Sequence, residues 1–373
     1  MERIALKIQR RRFAYAAVRE IAIHQHLRER VGASTEIIGM HEAFLHDGHI
    51  CMAFDRHGNS LHAALDCGPI SVSRARRVTR QMLLALDYIH CSGYTHTDVK
   101  PGNILYRARP IGARLGDLGN ARESLRQGTR LGTREYMPPE VILGAPLTPA
   151  IDMWSLGCTL FEMLARQFLF NPRKAAAKKY REFSEGRDAT DVPLAASAIK
   201  DAADERAEQL PRGSLISGKY RLERVLGQGR YSTVWTAEQL HRASLDQAQA
   251  ILRDQETSSA STRRSARSER ERSDREWRRQ RGADDLLDLA LNYEQLLLIV
   301  ALCGPLPAPM VQSARYRASY FEEDGELRFR PALRRSTLRA RLGRSGTLKG
   351  RELELAADFL CRVLRVEPAE RLT

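Results

Sequence analysis

A chain of 373 residues, 43% hydrophobic and 28% charged, has the length of two or three domains and the composition of an ordinary folded protein. It contains no run of about eighteen apolar residues and its opening, MERIALKIQRRR, has no apolar region of signal-peptide length, so neither a membrane span nor a secretory signal is expected. Lys+Arg 60 against Asp+Glu 46 leaves a net charge of +14, which suits either an acidic partner or a few solvated Arg-rich segments. Arginine clusters in one stretch, which favours the second source, and no direct nucleic-acid partner is expected.

Ile4 to Ile8 is a short apolar run of strand type, and Phe13 to Arg30 carries helical periodicity through Ala17, Ile21, Ile23 and Leu27. His49 to Phe54 is a second strand candidate, followed by a Gly58-Asn59 turn. Ser73 to His90 predicts an amphipathic helix with Val78, Met82, Leu83, Leu86 and Ile89 on one face. Pro149 to Leu164, apolar nearly all round and containing Trp154, predicts a central buried helix. Residues 173–212 read as a polar linker, and Leu215 to Ala237 as two strands around Gly227-Gln228-Gly229. Residues 243–283 are polar again. Ser258 to Arg281 is so dense in Ser, Arg and Glu that it cannot bury a core, which predicts a disordered spacer. Helical signals return over Leu286 to Leu302 and Leu353 to Leu364. The cysteines (Cys51, Cys67, Cys91, Cys158, Cys303, Cys361) stand apart with no C-x-x-C pair, as expected of reduced thiols in the cytoplasm or nucleus, with no zinc site.

Phosphoryl transfer asks a protein to clamp phosphates, neutralise their charge with a metal and aim a hydroxyl at the γ-phosphate. His96-Thr97-Asp98-Val99-Lys100-Pro101-Gly102-Asn103 fits a catalytic loop of the H-x-D-x-x-x-x-N type. Asp98 would accept or orient the substrate proton, Lys100 would balance charge at the moving phosphate, and Asn103 would turn back to Mg²⁺. Gly116-Asp117-Leu118-Gly119 follows at the right distance, with Asp117 as the second Mg²⁺ ligand. Ile4-Ala5-Leu6-Lys7 matches V-A-I-K, in which the Lys grips the α- and β-phosphates and pairs with a helix Glu, here Glu20. Gly132 to Glu140 reads as the end of an activation segment with Pro138-Pro139-Glu140 in place of A-P-E. Asp152 would support the catalytic loop from the buried helix, and Arg371 could pair structurally with Glu140.

These residues give the chain a resemblance to the serine/arginine-protein kinases, a branch of the CMGC kinases. Thr97 where most kinases carry Arg, the run Asp117-Leu118-Gly119-Asn120-Ala121, His49 to Phe54, Gly304-Pro305-Leu306-Pro307 and Tyr320 to Arg328 carry it. The resemblance covers roughly 1–172, 215–240 and 285–373. It implies an α+β, two-lobed protein kinase fold with a small β-rich N-lobe and a larger helical C-lobe, ATP and Mg²⁺, and phosphorylation of serine in Arg/Ser-rich proteins. By the same resemblance Phe54 is the gatekeeper, Asp55 and His57 offer hinge backbone to adenine, and Ala5 and Leu105 belong to the nucleotide site. Thr97 removes the Arg that normally meets an activation-loop phosphate, which argues against switching by that route. Glu322, Glu323, Asp324 and Glu326 could attract an Arg-rich substrate or form only a solvated charged turn. Met137 stands where this family usually has Arg, which leaves the residue preference after the phosphorylated serine open.

One segment is out of order. Gly227-Gln228-Gly229-Arg230-Tyr231-Ser232-Thr233-Val234 has the spacing of a kinase Gly-rich loop, with Gly227, Gly229, Ser232 and Val234 as nucleotide contacts. In kinases that hairpin precedes the V-A-I-K strand, whereas here it follows the Asp152 helix. It could dock beside Ile4–Ile8, belong to an incomplete second copy, or record a misassembled gene. A flexible linker of about forty residues spans roughly 35 Å, so reach permits docking, which is the favoured reading.

The expected organisation is an N-lobe part over 1–57, a C-lobe part over 58–172 and a linker over 173–212. The displaced hairpin then occupies 213–242, an Arg/Ser-rich spacer 243–283, and C-lobe helices 284–373. The spacer could serve as an autophosphorylated or autoinhibitory segment, a nuclear-import signal or a plain solubiliser. The expected protein is a monomeric Ser/Thr kinase of cytoplasm and nucleus. The alternatives are a CMGC kinase of other specificity, or a pseudokinase scaffold that binds such proteins without turnover.

Overall fold

The computed structural model describes residues 3–30, 34–68, 70–129, 131–176, 210–228, 232–240, 288–328 and 336–372. Most of the 173–212 linker, the 243–283 spacer and Gly229 lie outside them. The described residues divide into two compact units, one drawn from within Met1–Ala17, Met40–Arg56 and Ala177–Asp288, the other from within Val18–Gly39, His57–Ala176 and Leu289–Thr373.

The first unit is an antiparallel six-stranded sheet. It is built from β1 (Arg3–Gln9), β2 (Met40–His46) and β3 (His49–Asp55), and from β7 (Leu215–Ile216), β8 (Tyr220–Gln228) and β9 (Ser232–Gln239). The strand order is β2-β3-β1-β9-β8-β7. β1 forms because Ile4, Leu6 and Ile8 alternate with Ala5 and Lys7, and the Ile/Leu side joins Cys51, Ala53, Leu222, Trp235 and Ala237 in one core. β9 lies directly against β1, in register from Arg3↔Glu238 to Gln9↔Ser232. The late hairpin therefore sits in the middle of the sheet rather than at its margin.

The sheet also curls until its two edges meet. Glu42 of β2 accepts hydrogen bonds from Lys219 Nζ at 2.7 and 2.8 Å and from the Tyr220 hydroxyl. Phe44 stacks on Tyr220 with ring centroids 5.7 Å apart. β2 was not anticipated from the pattern, although its turn, Asp47-Gly48, is a hairpin dipeptide with both residues at positive φ (47° and 72°).

The second unit is mainly helical. Its core gathers α1 (Ala14–Arg30), α2 (Leu61–Cys67), α3 (Val72–Cys91), α4 (Pro139–Leu143) and α5 (Ala150–Ala165) with the helices at 288–303, Leu338–Gly343 and Gly350–Val363. As expected, α3 buries Val78, Met82, Leu86 and Ile89, while α5 is buried from Ala150 through Leu164. Gly157 lets α5 approach the C-terminal helix, since a Cβ there would stand 2.8 Å from Val363 Cγ2. β4 (Asn59–Ser60), β5 (Ile104–Ala108) and β6 (Ile111–Leu115) form a small sheet that carries the loops described below. Among the described residues, no helix is long and apolar enough to cross a membrane.

Candidate active site

In the sheet unit, Lys7 is buried in the middle of β1, opposite Met52 on one side and Val234 on the other. Val234 in turn faces Gly227. The next cross-strand row runs Arg224–Thr236–Ala5–Phe54. Directly opposed residues share a face of a sheet, and so do residues two apart along a strand. Gly227, Val234, Lys7, Ala5 and Phe54 thus line one face, which the out-of-order hairpin helps to build. Ser232 is buried opposite Gln9. Asp55 ends β3 with its carboxylate 2.9 Å from His41 Nε2.

In the helical unit, Asp152 organises the predicted catalytic loop. Its fully buried carboxylate accepts the backbone N–H groups of His96 and Thr97, each at 2.8 Å, and lies 2.9 Å from His90 Nε2. These bonds hold Thr97 at φ 68°, a left-handed backbone that non-glycine residues adopt only when the surroundings enforce it. His96 donates from Nε2 to the Gly116 carbonyl at 3.0 Å and accepts the Asp98 N–H on Nδ1 at 3.2 Å. That pattern fixes the neutral imidazole with its proton on Nε2.

Asp98 itself is caged. Lys100 Nζ donates to its Oδ2 at 2.7 Å, and Asn103 Nδ2 donates to its carbonyl at 2.8 Å and to Oδ2 at 3.2 Å. Thr133 Oγ1 donates to Oδ1 at 2.7 Å while accepting from Lys100 Nζ at 2.7 Å, which closes a ring of charge-assisted bonds. The sequence offered no cue for Thr133, because one Thr in an activation segment has no signature and its value comes from proximity in the fold. The preceding Gly132 (φ 78°) is required there, since a Cβ would stand 2.7 Å from the Thr97 carbonyl oxygen.

The Gly116 N–H donates to the Asn103 carbonyl at 2.9 Å, tying the Asp117 turn to the loop that carries Asn103. Asp117 adopts φ 59°. With the Asn103 amide nitrogen committed to Asp98, its Oδ1 and the Asp117 carboxylate are the hard oxygen donors that Mg²⁺ prefers, so the residues fit that ion. Glu20 is buried on α1, and the neighbouring Arg19 reaches the Gly119 carbonyl at 3.3 Å. His57 is buried in the helical unit near Gly112, and Leu105 pairs with Ser60 and Arg114. Arg371 and Glu140 form the expected pair, with Nη2–Oε2 at 2.8 Å and both side chains fully buried. The Tyr136 hydroxyl donates to Glu162 Oε2 at 2.6 Å, and burial pushes both the phenol and the carboxyl up.

The protein kinase domain matches residues 2–213. A rat dual specificity tyrosine-phosphorylation-regulated kinase 3 is 35% identical over 175 residues, which cover 45% of this chain and 30% of that protein. The serine/threonine-protein kinase prp4 of Schizosaccharomyces pombe is 33% identical over 165 residues (42% and 34%), and the dual specificity protein kinase YAK1 of Saccharomyces cerevisiae 31% over 202 residues (52% and 24%). The matched part is thus about a third or less of each relative's length. With more than half of its length matched by that domain and with CMGC-group kinases as its homologues, this chain belongs to the protein kinase family.

Proposed function

We propose that the chain is a protein serine/threonine kinase that transfers the γ-phosphate of ATP to serine in Arg/Ser-rich proteins. The observation that carries the catalytic part is the Asp98 carboxylate held by Lys100, Thr133 and Asn103. A carboxylate fixed at both oxygens is aimed before substrate arrives, and pre-aimed charge is the main help phosphoryl transfer needs. In the reaction the serine Oγ bonds to the γ-phosphorus, the bond to the β–γ bridging oxygen breaks, ADP leaves, and the serine proton goes to Asp98. Lys100 offsets negative charge on the moving group. Lys7 would hold the α- and β-phosphates with the backbone of Gly227, and Glu20 matches the helix Glu that the family pairs with this lysine. Asn103 and Asp117 would hold Mg²⁺, which neutralises phosphate charge when bound.

Two features support the substrate class. Glu322, Glu323, Asp324 and Glu326 are exposed on one ordered turn, pinned by the Phe321–Leu327 bridge and by Arg317 donating to the Glu323 carbonyl at 2.8 Å. Such a turn attracts Arg-rich sequences at long range. Thr97, bonded to the Asn120 carbonyl at 2.8 Å, leaves the loop ordered with no Arg at that position.

A second reading, a CMGC kinase of other specificity, is favoured by Met137. It lines a small crevice beside Asp98 with Leu131, Val141 and Ile151. That apolar wall suits proline or an aliphatic residue after the phosphorylated one better than a charged residue. The names of two relatives also include tyrosine phosphorylation or dual specificity. A peptide panel separates the readings: Arg-Ser repeat, Ser-Pro and Tyr peptides are offered with ATP–Mg²⁺, and kcat/KM is compared. Preference for the Arg-Ser peptide is expected; preference for Ser-Pro or Tyr peptides transfers the assignment to the second reading.

A further inference from the structure

The sheet unit contains a cavity of about 520 Å³ whose walls include Arg3, Arg56, Arg212, Arg224, Glu223 and Thr236. These residues come from β1, from the end of β3 and from the late segment, all within the same unit. Arg3 is compensated by Glu223, 3.5 Å away. Among the described residues, Arg56, Arg212 and Arg224 have no acidic partner, so three exposed, unpaired arginines border one hollow. Together they give the rim of the hollow a positive potential that attracts anions. A second observation points the same way: Thr236, which lines the cavity, is 3% exposed and its hydroxyl has no hydrogen-bond partner among the described residues. A buried unpaired hydroxyl is costly unless something completes it.

The position matters too. Arg224 and Thr236 continue the row that holds Ala5 and Phe54, whereas Lys7, which is expected to take the ATP phosphates, stands a row away beside Gly227 and Val234. The cavity's positive charge is therefore at the Ala5 end of this face, where a nucleotide presents its uncharged base. ATP itself does not explain it.

We propose that this cavity is a separate binding site for a compact ligand bearing two or more phosphate groups. Guanidinium forks bind phosphate oxygens in pairs, so three unpaired arginines match more than one phosphate, and the volume falls within the usual range for small-ligand sites. Such a ligand would bridge β1, β3 and β8 and stiffen the sheet that carries Lys7. Its phosphates could belong to a small polyphosphate or to a phosphorylated peptide, and the two are separated by the probe used.

The test is calorimetric titration of the full chain at physiological salt, with a saturating non-hydrolysable ATP analogue present. The probes are inositol hexakisphosphate and a doubly phosphorylated Ser peptide. One site is expected for one of them, weakened at least tenfold in Arg56→Ala/Arg224→Ala and several-fold in Thr236→Val. Thermal unfolding checks that each variant is folded, and the charge-preserving Arg224→Lys, which loses only the fork, should bind with intermediate affinity. Probe binding that appears only when the nucleotide analogue is left out would overturn the proposal. So would equal weakening by the remote pair Arg339→Ala/Arg362→Ala, or no binding by folded wild type. Because no transfer is measured, these outcomes are independent of whether the chain phosphorylates Arg/Ser-rich proteins.

Discussion

Lys7 of β1 and Val234 of β9 are direct cross-strand neighbours, although the catalytic loop, the activation segment and α5 all lie between them in the chain. The ladder is what restores the glycine hairpin to the lysine strand. Closing a long loop costs only slowly more as it lengthens, so the altered connectivity is thermodynamically cheap once the strands have paired.

The pairing makes β1 depend on a distant segment. Trp235→Ala removes an indole packed with Ile4, Leu6 and Ala53, and large-to-small changes of this kind cost about 3–5 kcal/mol. In hydrogen-exchange measurements the amides of Ile4–Ile8 and of β9 should lose protection together. Protection retained in β1 while β9 exchanges freely would contradict the shared sheet.

Thr133 is a positioning residue for Asp98. Thr133→Ala should lower kcat roughly ten- to hundredfold, the worth of a hydrogen bond to a charged group at about 1.5–3 kcal/mol. KM for ATP should stay put, and Thr133→Ser should restore most of the rate. A change confined to KM, or no rescue by Ser, would count against this role.

Arg371 spends every donor inside the protein: on Glu140, and on the carbonyls of Ala150, Arg365 and Val366 at 3.2, 2.7 and 3.1 Å. Breaking a buried pair by removing one charge costs about 3–5 kcal/mol, because the other is stranded. Glu140→Gln and Arg371→Met should each lower the urea midpoint strongly, and Glu140→Met/Arg371→Met should cost less than the sum. Additive losses would show that the charges do not interact.

The contact between the sheet's two edges should be acid-sensitive. Burial pushes the Glu42 carboxyl up, but the hydrogen bonds and charge of Lys219, with the Tyr220 hydroxyl, outweigh it and leave the group below its usual range. A depressed folded-state value adds stability that is present above about pH 4.5 and fades as pH falls through the folded value. Wild type should therefore lose stability in that acid window, and Glu42→Gln, weaker at neutral pH, should show a flatter acid limb. Parallel pH profiles would remove Glu42 from the account.

Much of this was legible in the residues. β1, β3, α3 and α5 announced themselves by period and composition, and Asp98, Asn103 and Asp117 by spacing, because local backbone geometry dictates both. β2 was missed although Asp47-Gly48 marked its turn, since its alternation of His, Glu and Phe reads as polar. Thr133, the Glu42–Lys219–Tyr220 contact and the arginine cavity left no linear trace. Each joins residues far apart in sequence, and only the folded sheet or loop gives them a common neighbour.

The central claim is that these residues form a working phosphoryl-transfer centre. The most direct measurement is transfer of labelled γ-phosphate from ATP–Mg²⁺ to an Arg-Ser repeat peptide, by wild type, Asp98→Asn and Lys7→Met. Label incorporated by wild type should fall by about 10²–10⁴-fold in Asp98→Asn, the usual worth of a positioned base, while nucleotide binding survives; Lys7→Met should lose both. Folded wild type that binds nucleotide yet labels no peptide, or an Asp98→Asn variant as active as wild type, would contradict it.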